Sequence, residues 1–145
     1  MEAYKRIERQ NKQPLYIASN PLLIPESTPK GVTVLSDVVV ENFGTVLGKA
    51  DCLILSLKDT ILSAGHMVML QALAQDVPVI VNRIHAVEDY VTDKEVLFFK
   101  SGDPEDLAEK IELFLSKQWV PEKTRELYEK EYTFSAMLKR IISLK

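Results

Sequence analysis

The sequence has little cysteine: its only one, Cys52, lies inside an apolar run. A single cysteine excludes an internal disulfide and any zinc site built from several cysteines. Because the neighbouring residues are apolar, we expect Cys52 to be a small buried side chain rather than a reactive thiol. A chain without disulfides suits a reducing compartment, so the sequence predicts a cytoplasmic protein.

Long hydrophobic segments are also missing. Residues 1–11 are charged and polar and do not resemble a signal peptide. No apolar run approaches the roughly 20 residues that span a bilayer. We therefore expect no transmembrane segment, while peripheral attachment to a membrane through a partner chain stays open.

An excess of positive charge is absent as well. The 145 residues include 18 Lys and Arg against 21 Asp and Glu, which gives a formal net charge of -3. Nucleic-acid binding needs a basic face, so the composition argues against a nucleic-acid partner. With 46% hydrophobic residues and no internal repeat, residues 1–145 are predicted to form a single domain.

Several well-known functional motifs do not occur. The turn after the first predicted strand reads Ala18-Ser19-Asn20-Pro21 instead of the glycine-rich dinucleotide fingerprint. The chain likewise has no phosphate-binding P-loop, no His-Glu-x-x-His zinc motif and no Gly-x-Ser-x-Gly nucleophile elbow. A phospho-acceptor receiver domain would need an aspartate at the end of its third strand, where this chain has Ser56. These classes of protein are therefore excluded.

The chain does contain short apolar segments that alternate with helical patterns. This alternation is typical of a parallel α/β sheet with crossover helices. The segment 51–56 is an apolar run and is predicted to be a central strand covered on both faces. The five predicted strands cover residues 14–19, 32–35, 51–56, 77–81 and 96–99.

The clearest helix start in the sequence is Asp103, followed by Pro104 and two acidic residues. The segment 63–75 is apolar on almost every side and is predicted to be a buried helix. A short or frayed helix is expected within residues 1–12. A further short helix is predicted near residues 87–92.

Helices are also predicted around the second crossover and at the end of the chain. Asp37 can cap a helix that continues through Leu47, although the β-branched triplet Val38-Val39-Val40 could extend a strand instead. Pro121 is expected to open a helix that runs to about residue 132. Thr133 or Ser135 is expected to cap the last helix. The apolar stripe of that helix consists of Phe134, Met137, Leu138, Ile141 and Ile142.

The loop from Leu57 to His66 is the candidate site, because ligands of parallel sheets bind where strands end and helices begin. Free N–H groups at a helix start attract anions such as phosphate. Gly65 would let a ligand approach the backbone, Lys58 supplies positive charge, and Ser63 and Gln71 can form hydrogen bonds. In the structural alternative, Ser63 only caps the helix, Lys58 is a solvated loop charge and Gln71 is a surface residue.

The two histidines, His66 and His85, are isolated in the sequence. Neither has a second metal ligand at helical spacing. A hydrogen-bonded structural role is therefore favoured over metal binding for both, and no metal is predicted.

Four segments of the chain form a recognisable series: Ala50–Ser56, Ser63-Ala64-Gly65-His66 leading into Leu70-Gln71-Ala72-Leu73-Ala74, Val77–Val81, and Gly102–Ala108. In this order and spacing they resemble the carboxy-terminal half of a family-four glycosyltransferase of the GT-B fold. The resemblance covers roughly Pro14 to the end of the chain. The closing Tyr132-Thr133-Phe134-Ser135 also resembles the start of the last helix in that family.

The resemblance implies a Rossmann-like domain: an open parallel sheet of about five strands, with helices on both faces and C-terminal helices. It also implies a nucleotide sugar as substrate, of the UDP or GDP type, with no cofactor and no required metal. The donor's diphosphate would lie on the N–H groups near Gly65, His66 and Met67. A GT-B enzyme further needs an acceptor-binding half, which would be a separate domain or chain.

The family's two glutamates, separated by seven residues, correspond to Ser63 and Gln71. Gln71 can still hold ribose hydroxyls, whereas Ser63 supplies no carboxylate. The family's basic segment upstream of the sheet edge is missing, which leaves Lys58 and Arg83 as the basic candidates. The resemblance thus assigns catalytic roles to Lys58 and Ser63. It assigns donor binding to Gly65, His66, Met67, Gln71 and Arg83.

Three functions follow as hypotheses. The first is the donor-binding half of a glycosyltransferase, which transfers a sugar from a UDP- or GDP-type donor to an unknown acceptor. The second is a degenerate, non-catalytic relative that serves as an interaction domain. The third is a generic α/β nucleotide-binding module.

Overall fold

The computed structural model describes residues 2–7, 14–18, 28–35, 40–58 and 65–143, with the backbone alone at residues 40 and 41. Seven helices and five strands lie within these ranges. In chain order they are α1 Glu2–Arg6, β1 Leu15–Ala18, β2 Val32–Leu35, α2 Val40–Leu47, β3 Leu53–Leu55, α3 His66–Ala74, β4 Val79–Asn82, α4 His85–Glu88, β5 Leu97–Phe99, α5 Pro104–Leu115, α6 Thr124–Glu131 and α7 Phe134–Ser143. None of these helices is long and apolar enough to cross a membrane.

All five predicted strands are present, and every strand pair is parallel. β1 pairs with β2, with Leu15 opposite Val32, and β3, β4 and β5 form a second sheet in that order. The parallel α/β architecture confirms the predicted Rossmann-like class. In the described residues the strands are divided between sheets of two and three strands.

Helices cover both faces of the three-stranded sheet, as predicted. On one face Val79 and Val81 pack with the fully buried Met69 and Leu73 of α3. On the other face Ile80 packs with Leu97, Phe99 and the apolar residues of α5. Alternate residues of β4 therefore enter two separate parts of the core.

The predicted strand in residues 51–56 is covered on both faces, as expected, but it is not the central strand of the described three-stranded sheet. β4 lies between β3 and β5 and is buried at all four positions, whereas β3 is only half-buried. Among the described strands, β3 pairs with β4 alone. Both segments are apolar, so composition could not tell which of them has neighbours on both sides.

α3 is also less buried than predicted. Met69, Ala72 and Leu73 are completely buried, but 69% of the Met67 surface is exposed and Gln71 is exposed as well. Only one side of the helix packs on the sheet. The exposed side begins at the carboxyl edge of the sheet, where a ligand could reach it.

α5 joins the two sheets. Its residues Leu107 and Ile111 pack against the cluster formed by α1, β1 and β2, and they also pack against Ile80 and Phe99 of the larger sheet. Arg6 of α1 donates to Glu105 of α5, with 2.6 Å between Nη1 and Oε1.

The start of α5 agrees with the sequence prediction. Asp103 is the N-cap, and its Oδ1 accepts hydrogen bonds from the backbone N–H groups of Glu105 at 3.0 Å and Asp106 at 3.1 Å. Pro104 takes the first helical position. A carboxylate at this position also interacts favourably with the helix dipole.

Replacing Asp103 with alanine should lower the free energy of unfolding by about 1 kcal/mol, because the substitution leaves two first-turn N–H groups without their acceptor. Urea unfolding followed by circular dichroism measures this loss. Asp103→Asn is the matched control, since an asparagine oxygen accepts the same hydrogen bonds. Equal losses in both variants would show that charge, rather than capping, stabilises this helix start.

α6 begins three residues later than predicted, at Thr124 instead of Pro121. The carboxylate of Asp76, in the turn after α3, accepts hydrogen bonds from the Thr124 hydroxyl at 3.0 Å and from the Arg125 N–H at 3.1 Å. The helix start is thus fixed by a residue 48 positions away, which local sequence could not reveal.

The remaining helix predictions have mixed outcomes. Thr133 caps α7, since its Oγ1 accepts a hydrogen bond from the N–H of Ala136 at 3.2 Å. The helix predicted before Leu47 is confirmed from Val40 onward. The predicted cap Asp37 and the predicted site residue Ser63 lie outside the described residues.

Candidate functional site

The candidate site lies at the carboxyl edge of the three-stranded sheet. Because the strands are parallel, the segments after β3, β4 and β5 emerge at the same edge. Leu57 and Lys58 follow β3, Arg83 follows β4, and Ser101 follows β5. The start of α3 follows the first of them in the chain.

The buried side chain of Asn82 connects these segments by hydrogen bonds. Its side chain is 1% exposed, and its Oδ1 accepts a hydrogen bond from the Leu57 N–H at 2.7 Å. Its Nδ2 donates to the Leu57 carbonyl at 2.9 Å and to the Ser101 hydroxyl at 3.2 Å. The amide therefore binds both backbone groups of Leu57, much as a neighbouring strand would.

Leu57 in turn packs against the start of α3. Gly65 is the N-cap of this helix and has φ +93°, a left-handed conformation that residues with a side chain adopt at a cost. A Cβ atom at Gly65 would overlap the Leu57 side chain. Glycine is thus favoured for its backbone conformation, and any other residue would also require the end of the Leu57 side chain to shift.

Among the described residues, no side chain caps the first turn of α3, and this turn contains no acidic residue. The first helical hydrogen bond runs from the Met69 N–H to the Gly65 carbonyl at 3.1 Å. The N–H groups of His66, Met67 and Val68 precede it and have no acceptor within the helix. These N–H groups and the helix dipole make the start of α3 suitable for an anion.

His66, the first residue of α3, is buried and 5% exposed. Its Nε2 donates to the Ala86 carbonyl at 2.6 Å, and its ring packs on that of Tyr90 with centroids 4.7 Å apart. In the neutral ring this leaves Nδ1 as an acceptor, and Nδ1 is buried without a hydrogen-bond partner among the residues that the structure describes. The predicted hydrogen-bonded role of His66 agrees with this geometry.

Comparison with known families decides which kind of protein carries this site. A family model for glycosyl transferases group 1 matches residues 26–134. The chain belongs to this family. A search among curated proteins gives no match.

The predicted site residues of this glycosyltransferase domain are distributed unevenly around α3. Gly65, His66 and Met67 form the start of the helix, and Gln71 follows one turn later on its exposed side. Lys58 is exposed in the loop after β3, and no ion pair engages it within the described part of the chain. The N-cap position is Gly65, and the alternative in which Ser63 caps the helix falls outside the described residues.

Arg83 follows β4 and is already paired. One guanidinium nitrogen lies 2.9 Å from Oε1 of Glu88, and another contacts Asp93. The same guanidinium lies 4.1 Å from the ring centroid of Phe98. Its hydrogen bond to Glu88, together with Asp93, raises the pKa of Arg83 above its ordinary value. A donor would therefore have to compete with two carboxylates for this side chain.

A second feature of the glycosyltransferase lies beside Arg83. An open cavity of about 400 Å³ is lined by Phe98, Phe99 and Ser101, with Arg83, Lys100 and Asp106 contributing polar groups. It adjoins the carboxyl end of β5.

Asn82 and Leu57 are the residues that sequence reasoning missed. The signal for Asn82 was present, since a single amide ends a strand that is otherwise wholly apolar. Leu57 offered no signal, because its importance depends on a contact with Gly65. Cys52 agrees with its prediction: it is partly buried, and this burial raises the pKa of its thiol to about 12.

Proposed function

We propose that this chain is the donor-binding half of a GT-B-type glycosyltransferase, with the diphosphate of a UDP- or GDP-type sugar bound at the start of α3. The observation that carries the proposal is the first turn of α3 at the carboxyl edge of the sheet, which no side chain of the described residues caps. Membership of the group 1 glycosyltransferases supports it.

The charges around the site favour a dianionic ligand group. The N–H groups of His66 and Met67 would donate to phosphate oxygens, with the helix dipole behind them. Lys58 would approach from the loop after β3 and neutralise charge on the departing diphosphate. Ser63 and Gln71 would orient the donor. Transfer to the acceptor would require a second, acceptor-binding domain or chain.

The clamp formed by Asn82 and Leu57 supports such a site by fixing its geometry. Electrostatic stabilisation of a leaving group is efficient only when the donors are held in place before the reaction. Asn82 holds the backbone of Leu57, and Leu57 holds the start of α3. Asn82 is fully buried, so a ligand that binds at the surface leaves its hydrogen bonds in place.

The second candidate function is a non-catalytic, glycosyltransferase-like interaction domain. Two observations favour it. The family's two glutamates are replaced by Ser63 and Gln71. Arg83, one of the two basic candidates, is held by Glu88 and Asp93.

A thermal-shift titration with UDP, GDP, ADP and their sugar conjugates tests the first function. A ligand at 100 times its dissociation constant should stabilise the fold by about 2.7 kcal/mol, which raises the melting temperature by several degrees. We expect Lys58→Ala to weaken binding roughly tenfold, as is usual when a charged hydrogen bond is lost.

Lys49→Ala is the matched control for this titration. Lys49 is also exposed, but it precedes β3 and so lies towards the opposite edge of the sheet. If no nucleotide stabilises the chain, alone or together with an acceptor-binding partner, the chain is better described as an interaction domain. If both lysine variants weaken binding equally, the ligand does not bind at the start of α3.

A further inference from the structure

The imidazole ring of His66 contains a buried nitrogen that forms no hydrogen bond with any described residue. The side chain is 5% exposed, and the unpartnered atom is Nδ1. In the described part of the chain, every other buried side-chain nitrogen or oxygen has a partner. Such exceptions are rare and need an explanation, because a buried polar atom without a partner has lost its hydrogen bonds to water.

The surrounding residues fix the orientation of this ring. Nε2 donates to the Ala86 carbonyl at 2.6 Å, and the ring packs on that of Tyr90 with centroids 4.7 Å apart. The hydroxyl of Tyr132 in turn donates to the Tyr90 carbonyl at 2.5 Å. The two nitrogens of an imidazole point in widely different directions, so Nδ1 faces away from Ala86. Only Cγ and Cβ separate Nδ1 from Cα, so Nδ1 lies beside the first turn of α3.

No described side chain balances a positive charge on this ring. Within the described residues no carboxylate pairs with either ring nitrogen. Tyr90 contacts the ring, Tyr132 packs behind it, and α6 adds Tyr128 to the core beside α3. Phenol groups carry no charge near neutral pH. The loop after β3 contributes Lys58, which is itself positive. The other titratable side chains of the segment that packs on the ring are exposed: His85, Glu88 and Asp89.

A charged ring is therefore unfavourable while the site is empty. Burial removes the charge from water, and the positive end of the α3 dipole repels it. We expect a neutral ring with its proton on Nε2. A dianion at the first turn reverses this balance, because its negative charge acts on Nδ1 through an interior that screens charges weakly. Nε2 donates to Ala86 in both states, so the ring can gain a proton without turning.

We propose that anion binding at the start of α3 is coupled to the uptake of one proton at Nδ1 of His66. The inference rests on the proposed function, in which the anion is the diphosphate of a sugar nucleotide. The proton comes from solvent and stays on Nδ1 while the diphosphate is bound. Because Arg83 is paired with Glu88 and Asp93, the charged ring supplements Lys58 as a source of positive charge. The site then binds its ligand more tightly as the pH falls.

Nuclear magnetic resonance of the full chain, labelled with ¹⁵N-histidine, measures the protonation of His66 directly. The chain has two histidines, so His85→Gln assigns the signals. The probes are sulfate, UDP-glucose and GDP-mannose, which keep their own charge near neutral pH. UDP and GDP are unsuitable, because a terminal phosphate titrates near about pH 6. We expect a neutral ring with the proton on Nε2 in the free protein at about pH 7, and a doubly protonated ring at saturating ligand.

The affinity should change with pH as the uptake of one proton requires. Between about pH 6 and about pH 8, we expect the dissociation constant to rise roughly threefold to tenfold per pH unit, tenfold being the limit for a single proton. His66→Gln keeps an amide donor for the Ala86 carbonyl but cannot gain a proton, so its affinity should not vary with pH. His85→Gln changes the exposed histidine and should bind like the unchanged protein.

The possible outcomes separate this inference from the proposed function. If a probe binds while His66 stays neutral, or if His66→Gln keeps the pH dependence, the coupling is wrong and the anion site remains. A ring that stays neutral with a shifted Nδ1 signal would show that a ligand hydroxyl donates to Nδ1, which also contradicts the coupling. If none of the three probes binds at any pH in this range, the start of α3 is not an anion site, and the proposed function fails as well.

Discussion

Replacing Gly65 with alanine is expected to lower the free energy of unfolding by about 1–3 kcal/mol and to weaken nucleotide binding. Two effects add up at this position. The φ of +93° is unfavourable for any residue with a Cβ atom, and that atom would also overlap the Leu57 side chain. Chemical unfolding measures the loss of stability. A thermal-shift titration with nucleotides measures the loss of binding.

Gly102→Ala separates the two effects. Gly102 also has a positive φ, +76°, but a Cβ atom there would meet nothing within 4 Å. It should therefore lose only the conformational part, about 1 kcal/mol. Adding Leu57→Ala to Gly65→Ala should recover part of the loss, because it removes the overlap. If the two glycine variants are equally destabilised, the contact between Gly65 and Leu57 is not important.

Asn82→Ala is the second substitution with a large expected effect, a loss of about 2–4 kcal/mol in the free energy of unfolding. It removes the acceptor of the Leu57 N–H and the donor to the Leu57 carbonyl, two partly buried hydrogen bonds made by a side chain that is 1% exposed. Buried backbone groups without partners are costly. Because Leu57 then loses its anchor, hydrogen exchange at the start of α3 should also become faster.

Ser101→Ala is the control for Asn82. It removes only the third partner of the amide, at 3.2 Å, and leaves both hydrogen bonds to Leu57 in place. We expect a loss of less than about 1 kcal/mol and unchanged hydrogen exchange at α3. If Ser101→Ala is as harmful as Asn82→Ala, the link to the loop after β5, rather than the clamp on Leu57, maintains the site.

The sequence predicted the parts of the fold that depend on local signals. The strands follow from short apolar runs, and the start of α5 follows from Asp103 and Pro104. The parallel arrangement follows from the alternation of strands with helices. Each of these features depends on residues close together in the chain.

The errors concern features that depend on tertiary partners. β4 rather than β3 is central because it has a strand on each side, a fact that its composition does not encode. The delayed start of α6 depends on Asp76, which is distant in sequence.

The candidate site shows the same division. Sequence reasoning found the loop and the start of α3, because a strand followed by a glycine-containing helix start is a local pattern. It explained Gly65 by ligand approach, whereas the structure shows that Leu57 occupies the space beside it. It also named Arg83 as a basic candidate for donor binding, and in the structure Glu88 and Asp93 pair with this side chain.

The shared packing of α5 has a consequence for how the domain comes apart. Leu107 and Ile111 contact the cluster of α1, β1 and β2 as well as the core beneath β4 and β5. If α5 came away together with one sheet, apolar surface of the other sheet would become exposed to water. The two sheets should therefore melt in a single cooperative transition rather than as two separate units.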